Sequence, residues 1–465
     1  MAMKLQRSLC VSFLLAAGAS GALAQTPASS ATEKPVFQWG GDFRFRYEAY
    51  DAVHTLSDSA AFHHRDYFRA RLRLWETTTP FPDLTFFGRV SAEPRYWFQA
   101  ASKAAEGKEW KYGLVDNLYA KWTTEAGGTP LVVVAGRQDI QLGDQWLVSD
   151  GTPLDGSWTN HFDALRFTVD AKSIKTKFEV IAFNQQAYPG DRLPILGSDA
   201  KAAALQEQDE TGFVVYASNK SIKNVQLDSY FIYKGDDAVT SKGYNADVYT
   251  LGGRIVGTPE EHWQYTVEAA YQWGRRNDAS GAFTAAKNFT NYGELSRDVS
   301  AFGGIAKLVY SFKDSLNNQL TFSTEYLSGD KRSSGKDEMF DNLWGRIPRI
   351  SECWAVAIGQ DTGRNSAYNN LYRFGMAWSF APTKATSVSA TYGALFAVED
   401  VPTRTTSAAF SRDSSFRGHL FQVVVKQKFT KQLSGLVLAE YCPMGSFYTN
   451  TDAMTFLRAE LLVSF

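Results

Sequence analysis

Residues 66–75 read DYFRARLRLW, and the fold turns on how this stretch is read. Phe68, Ala70, Leu72 and Leu74 fall on one parity, and Arg69, Arg71 and Arg73 on the other. Side chains alternate across a strand, so the segment has one apolar face and one face carrying a row of guanidiniums. A soluble antiparallel sheet also has a dry and a wet face. Consecutive arginines opposed by aliphatic and aromatic side chains better suit a wall between hydrocarbon and a hydrated lumen.

The same period recurs in both directions. Phe43, Phe45 and Tyr47 alternate with Asp42, Arg44, Arg46 and Glu48. Tyr265, Val267, Ala269, Tyr271 and Trp273 oppose Thr266, Glu268 and Gln272. Near the C-terminus, Leu457, Ala459, Leu461, Val463 and Phe465 share a face, opposite Arg458, Glu460 and Ser464. The pattern predicts strands near 37–50, 65–77, 83–95, 113–124, 130–138, 161–170, 175–185, 211–219 and 225–234. A second set follows near 244–258, 262–275, 299–312, 318–328, 367–381, 385–395, 415–430, 432–442 and 453–465. The expected class is all-β: a single-chain transmembrane antiparallel β-barrel of about eighteen strands, an even number as bacterial barrels have. Connections after even strands are short, as at 78–82, 125–129 and 171–174. Those after odd strands are long, as at 51–64, 96–112, 139–160, 186–210, 276–298 and 329–366. Short periplasmic turns and long outer loops are the asymmetry of an outer-membrane barrel.

The N-terminal region agrees. Lys4 and Arg7 precede an apolar run from Leu9 to Leu23 that ends in Ala22-Leu23-Ala24, the pattern of a secretory signal peptide. Cys10 lies inside that run, which argues against a lipid anchor. The expected division is a signal peptide at 1–24, a flexible periplasmic leader at 25–36 and the barrel at 37–465, destined for the cell outer membrane and its lipids. A terminal aromatic, Phe465, fits the same destination. After residue 24 no stretch is long and apolar enough for a spanning helix. The chain nonetheless holds 32 Phe, 22 Tyr and 12 Trp. Cys353 and Cys442 remain after processing, and their spacing leaves open whether they pair.

Parity places Arg44, Arg46, Arg69, Arg71, Arg73, Arg89, Arg95, Arg137, Arg166, Arg373 and Arg458 inward, with carboxylates that include Asp42, Glu48, Glu93, Glu268, Glu325, Glu440 and Glu460. Such residues either brace the wall as charge ladders or guide anions, because the planar guanidinium grips carboxylates with two hydrogen bonds and keeps its charge. His63 and His64, beside Asp66, read as a solvated outer loop. No catalytic constellation, metal-spaced ligand set or cofactor motif is visible, so no enzyme activity, cofactor, metal or nucleic-acid partner is expected. The loop from Gly329 to Ser366, with Trp344, Arg346 and Arg349, is the segment expected to fold into the lumen. Bulky plugs are not evident.

Several blocks taken in order resemble the alginate export proteins of bacterial outer membranes: GDFRFRYE at 41–48, DYFRARLRLW at 66–75, AGRQDIQLGD at 135–144 and FDALRF at 162–167. The resemblance implies an eighteen-stranded monomeric channel with an arginine-lined constriction that passes an anionic polysaccharide, with periplasmic export partners. It assigns Arg44, Arg46, Arg69, Arg71, Arg73, Arg89, Arg137 and Arg166 to the pathway, modulated by Asp139 and Asp163, although Asp163 falls on the outward parity. One departure stands out. Exporters of this kind use a long periplasmic turn as a lid, and every periplasmic turn here is short. An uptake porin for small organic anions or oligosaccharides is the alternative, and an outer-membrane enzyme a distant one.

Overall fold

The structure is a computed structural model that describes residues 36–110, 113–149, 162–188, 192–193, 205–239, 243–277, 296–331, 333–345, 350–362, 368–401 and 407–465. The signal peptide and almost all of the leader expected from the sequence lie outside these residues.

The strands, in chain order, are β1 (Val36–Asp51), β2 (Arg65–Phe81), β3 (Leu84–Ala92), β4 (Arg95–Gln99), β5 (Gly107–Glu109), β6 (Gly113–Ala126), β7 (Thr129–Gln138), β8 (Phe162–Ala171), β9 (Thr176–Gln185) and β10 (Gln208–Asn219). They continue as β11 (Val225–Ala238), β12 (Asn245–Glu260), β13 (Trp263–Asn277), β14 (Ser296–Ser311), β15 (Gln319–Leu327), β16 (Leu371–Thr383), β17 (Thr386–Phe396), β18 (Phe416–Lys428), β19 (Leu433–Pro443) and β20 (Ala453–Ser464). β3 and β4 both pair with β2 and form one staved strand broken at Glu93-Pro94, while β5 pairs with β4 alone in the adjoining loop. The wall is therefore a closed eighteen-strand antiparallel barrel. Proline lacks the N–H that a ladder needs, which accounts for the break.

β1 closes the sheet against β20, with Asp42 opposite Ser464 and Glu48 opposite Arg458. Gly41 and Phe465 exchange backbone hydrogen bonds of 2.9 and 3.0 Å. A β-carbon on Gly41 would meet the Phe465 ring at 2.5 Å, so the seam needs glycine there. With no free edge, neighbouring strands pair all the way round the wall, as hydrocarbon requires.

The outer face is apolar. Phe43, Phe45, Leu72, Leu74, Phe86, Leu251, Val267, Phe374, Leu457 and Leu461 are among its exposed side chains. At the short-turn end, strands are joined by two-residue links at 82–83 and 127–128. The opposite end has the long connections, with one exception: only 239–244 separate β11 from β12.

The lumen is fuller than the sequence suggests. Segment 139–149 and segment 333–345 fold inward and meet through a parallel bridge between Val148 and Trp344. A helix, α1 (Glu352–Thr362), lies inside with Cys353, Trp354, Ala357 and Ile358 buried. These pieces build an apolar cluster with Ile140, Trp146, Phe340 and Tyr368 against the wall. The expectation of a lumen without bulky fillers is thus corrected. Buried loop apolar groups leave water by packing on one another within the barrel. The expected inward folding of the loop after β15 holds for Trp344, which is fully buried; Arg346 and Arg349 lie outside the described residues.

Candidate lumen site

Register creates the densest charge on the inner face. Across β1 and β2, Arg44 stands opposite Arg71, and Arg46 opposite Arg69. Arg69 also stands opposite Arg95. Like charges directly across a ladder repel, and carboxylates between the rungs offset this. Glu48 receives Arg69 at 3.4 Å, Arg458 at 2.6 Å and the Tyr67 hydroxyl at 2.6 Å, with Arg46 at 3.6 Å. Glu93 binds Arg69 at 2.7 Å, Arg95 at 3.1 Å and Arg44 at 3.2 Å. Asp42 takes Arg71 at 3.3 Å and Arg73 at 2.8 Å, and Arg46 pairs with Glu460.

Exposure sorts these arginines into two groups. Arg44, Arg46, Arg69 and Arg71 are buried. The side chains of Arg73, Arg95 and Arg166 keep 15, 20 and 21% of their surface. The first group is closed over and held by its carboxylate partners; the second keeps part of its surface open to solvent. Arg373 is held by Glu325 at 2.9 Å, and Glu325 also accepts the Trp146 indole at 2.9 Å.

Alternate residues of β3, β6, β7 and β8 line a recess of about 330 Å³. Arg89, Lys121 and Arg166 bring cations to it, Asn117 and Thr168 bring hydrogen-bonding groups, and Phe87 stacks on Tyr119 with ring centroids 5.2 Å apart. Arg89 is oriented by Asp116 at 2.9 Å and Asp139 at 3.1 Å, and Asp139 also accepts Asn117 at 2.8 Å. Arg166 is oriented by Glu179 at 2.8 Å. Lys121 is exposed, and among the described residues it has no ion-pair partner. The sequence reading passed over Lys121, Asp116 and Tyr119. Lys121 and Tyr119 do share the parity of Asn117, so inward alternation along β6 was the signal that would have found them.

Arg137 is corrected. The recess takes Val132, Val134 and Gln138 from β7. Arg137 lies in the other row, opposite half-exposed Leu118 and opposite Asp163. Asp163 clamps it at 2.7 and 3.0 Å, and the Val115 carbonyl accepts a further bond at 3.0 Å. β7 is apolar on both parities, so the alternation and the resemblance that put Arg137 inward had no polar face there to rest on. At the strand end an ion pair neutralises Arg137 within the outward row. Gly136, at φ +123°, shapes this end: a β-carbon there would lie 2.3 Å from the Leu118 carbonyl oxygen.

Other inner-face groups form networks that the sequence did not single out. Arg254 bridges Asp228 and Asp144, and Arg276 bridges Asp337 and Asp341 at 2.9 Å each. These last pairs fasten the inward segments to the wall. His63 bonds Asp51 at 2.6 Å, whereas His64 lies 3.9 Å from both Asp51 and Asp66.

A closed barrel with an apolar exterior and this charged interior defines an outer-membrane channel. The comparisons agree. The alginate export family model matches residues 37–460, and the chain belongs to that family. Similar solved structures include Acinetobacter baumannii OccAB1, at 11% identity and a TM-score of 0.57, covering 92% of this chain and 96% of that one. A BenF-like porin from Pseudomonas fluorescens Pf-5 gives 10% identity and 0.56, covering 92% and 98%. Pseudomonas aeruginosa OprD gives 9% and 0.51, covering 92% and 95%. At these identities the likeness is one of fold. No curated protein matches the chain. Family and barrel neighbours point to a channel rather than an enzyme.

Proposed function

We propose that this channel passes carboxylated anions, with an alginate-like uronate polysaccharide as its first candidate cargo. The carrying observation is the recess in which Arg89, Lys121 and Arg166 face a stacked Phe87–Tyr119 pair. A uronate residue has an apolar ring face and one carboxylate. Aromatic side chains suit the first, and the fork of Arg166 or the ammonium of Lys121 suits the second. At an effective dielectric near 20, one unit charge at about 5 Å is worth roughly 3 kcal/mol. Buried Arg44, Arg46, Arg69 and Arg71 add a field without gripping the solute. Their carboxylate partners temper it, which keeps the binding weak enough for exit.

A second reading has its own support. The inward segments and α1 occupy part of the lumen, and links at the short-turn end leave no room for a lid. Both features suit uptake of small organic anions or oligosaccharides.

Planar-bilayer recording separates these readings. The polymer reading expects anion preference and micromolar-to-millimolar block by polyuronate, with neutral polysaccharide inert. Transport of monomeric uronate without polymer block would favour the uptake reading. Cation preference would defeat both. Replacing Lys121 and Arg166 by Gln is expected to weaken polyuronate block about tenfold or more, and unchanged block would remove the recess from the pathway.

A further inference from the structure

Two buried thiols meet where the lumen helix joins the wall. Cys353 is the second residue of α1, and Cys442 lies near the end of β19. Both are fully buried, and the two sulfurs and the Glu440 carboxylate lie within 4.8 Å of one another. This juxtaposition is tertiary, since the cysteines are far apart in sequence.

A soft metal cation is one candidate for such a cluster, but Glu440 is already committed. It accepts the Ser351 hydroxyl at 2.5 Å, the backbone N–H groups of Glu352 and Cys353 at 3.0 Å each, and the Gln422 amide at 2.8 Å. Ser351 in turn accepts the Trp354 N–H at 3.1 Å. Together they satisfy donors at the start of α1 and place a negative charge at the positive end of its dipole. A metal taking Glu440 would strip those donors of their acceptor in a buried site, and each stripped group is costly. Two sulfurs alone also fall short of the four ligands that a tetrahedral thiolate site needs.

We propose that Cys353 and Cys442 form a disulfide that fastens α1 to the barrel wall. Outer-membrane proteins mature in the oxidising periplasm, where such bonds form and persist. The two thiols lose two protons and two electrons as the S–S bond forms. The protein disulfide of a periplasmic thiol oxidase accepts them and becomes a dithiol. Burial pushes the Cys353 thiol well up, so bond formation belongs to folding, before the site closes. The bond acts beside two ionic clamps. Arg458 on β20 holds Glu352 at 3.0 Å, and Arg417 on β18 holds Asp361 near the far end of the helix. Pinned at both ends, α1 is a fixed part of the lumen filling and not a gate.

The test uses the full-length barrel isolated from outer membranes without reductant and unfolded in an alkylating agent. Digestion and mass spectrometry are expected to yield the linked Cys353–Cys442 peptides, with neither thiol alkylated. Two alkylated thiols would overturn the proposal, and stoichiometric zinc in that same sample would assign the cluster to metal. In bilayers, the C353S/C442S channel is expected to show several-fold more frequent subconductance events. Current noise identical to that of the parent channel would refute the fastening role. The peptide readout does not depend on what the channel transports.

Discussion

Arginine at a given parity does not have one meaning in this wall. Glu48 is fully buried and is the shared acceptor of Arg69, Arg458 and Tyr67, whereas the Asp139 side chain is 35% exposed. Removing one partner from a buried ion pair costs about 3–5 kcal/mol, while exposed pairs contribute about 1 kcal/mol or less. Glu48→Gln should therefore lower the temperature at which the folded band is lost on unheated gels by many degrees, and Asp139→Asn should barely move it. Equal shifts would contradict the burial ranking. The sequence put Glu48 among the inward charges by parity and reached Asp139 only through the family resemblance, and it could not rank them. Rank depends on what closes over each one.

At the scale of elements, the inward segment 333–345 has a pH dependence. Asp330, just before it, is bonded to Arg297 at 2.9 Å, yet burial and neighbouring Asp337 raise its carboxyl to about 6. A carboxyl with a higher pKa in the docked form binds its proton more tightly there. Docking is then strongest in acid and weakens as pH rises from the unfolded value near 4 through about 6. Hydrogen exchange of 333–345, corrected for intrinsic rates, should be slower at pH 5 than at pH 7.5. Asp330→Asn should abolish the difference, and a segment indifferent to pH would show that Arg297 keeps Asp330 charged throughout. A second element-level expectation concerns β7. Gly136→Ala should destabilise the β6–β7 end, seen as faster exchange at Leu118 and Tyr119, because its φ of +123° and the nearby Leu118 carbonyl leave no place for a methyl group.

For the whole molecule, the governing fact is that the two faces meet different solvents. Leu72 is 42% exposed near the middle of β2, while adjacent Arg71 is buried on the inner face. Leu72→Arg should cost about 2–4 kcal/mol of folding free energy in lipid vesicles if it lies at mid-bilayer depth, with a smaller effect nearer the interfaces. Arg71→Leu leaves Asp42 its Arg73 contact and should cost less than removing Glu48. Urea unfolding in vesicles would rank the variants, and a harmless Leu72→Arg would refute the lipid-facing assignment of that row.

Alternation along DYFRARLRLW and the segments like it determined the barrel and its strand number, because a wall between lipid and water favours a period of two along the strands that cross it. It also placed most of the inner arginines, since a charge cannot rest in hydrocarbon. It failed at β7, where apolar residues on both parities erased the period, and Arg137 was sent to the wrong face. Only the tertiary structure decided how the lumen is filled, which carboxylate holds which guanidinium, and that Cys353 meets Cys442. Loops carry no period, and their resting place is chosen by packing and charge partners contributed from strands far away in the chain.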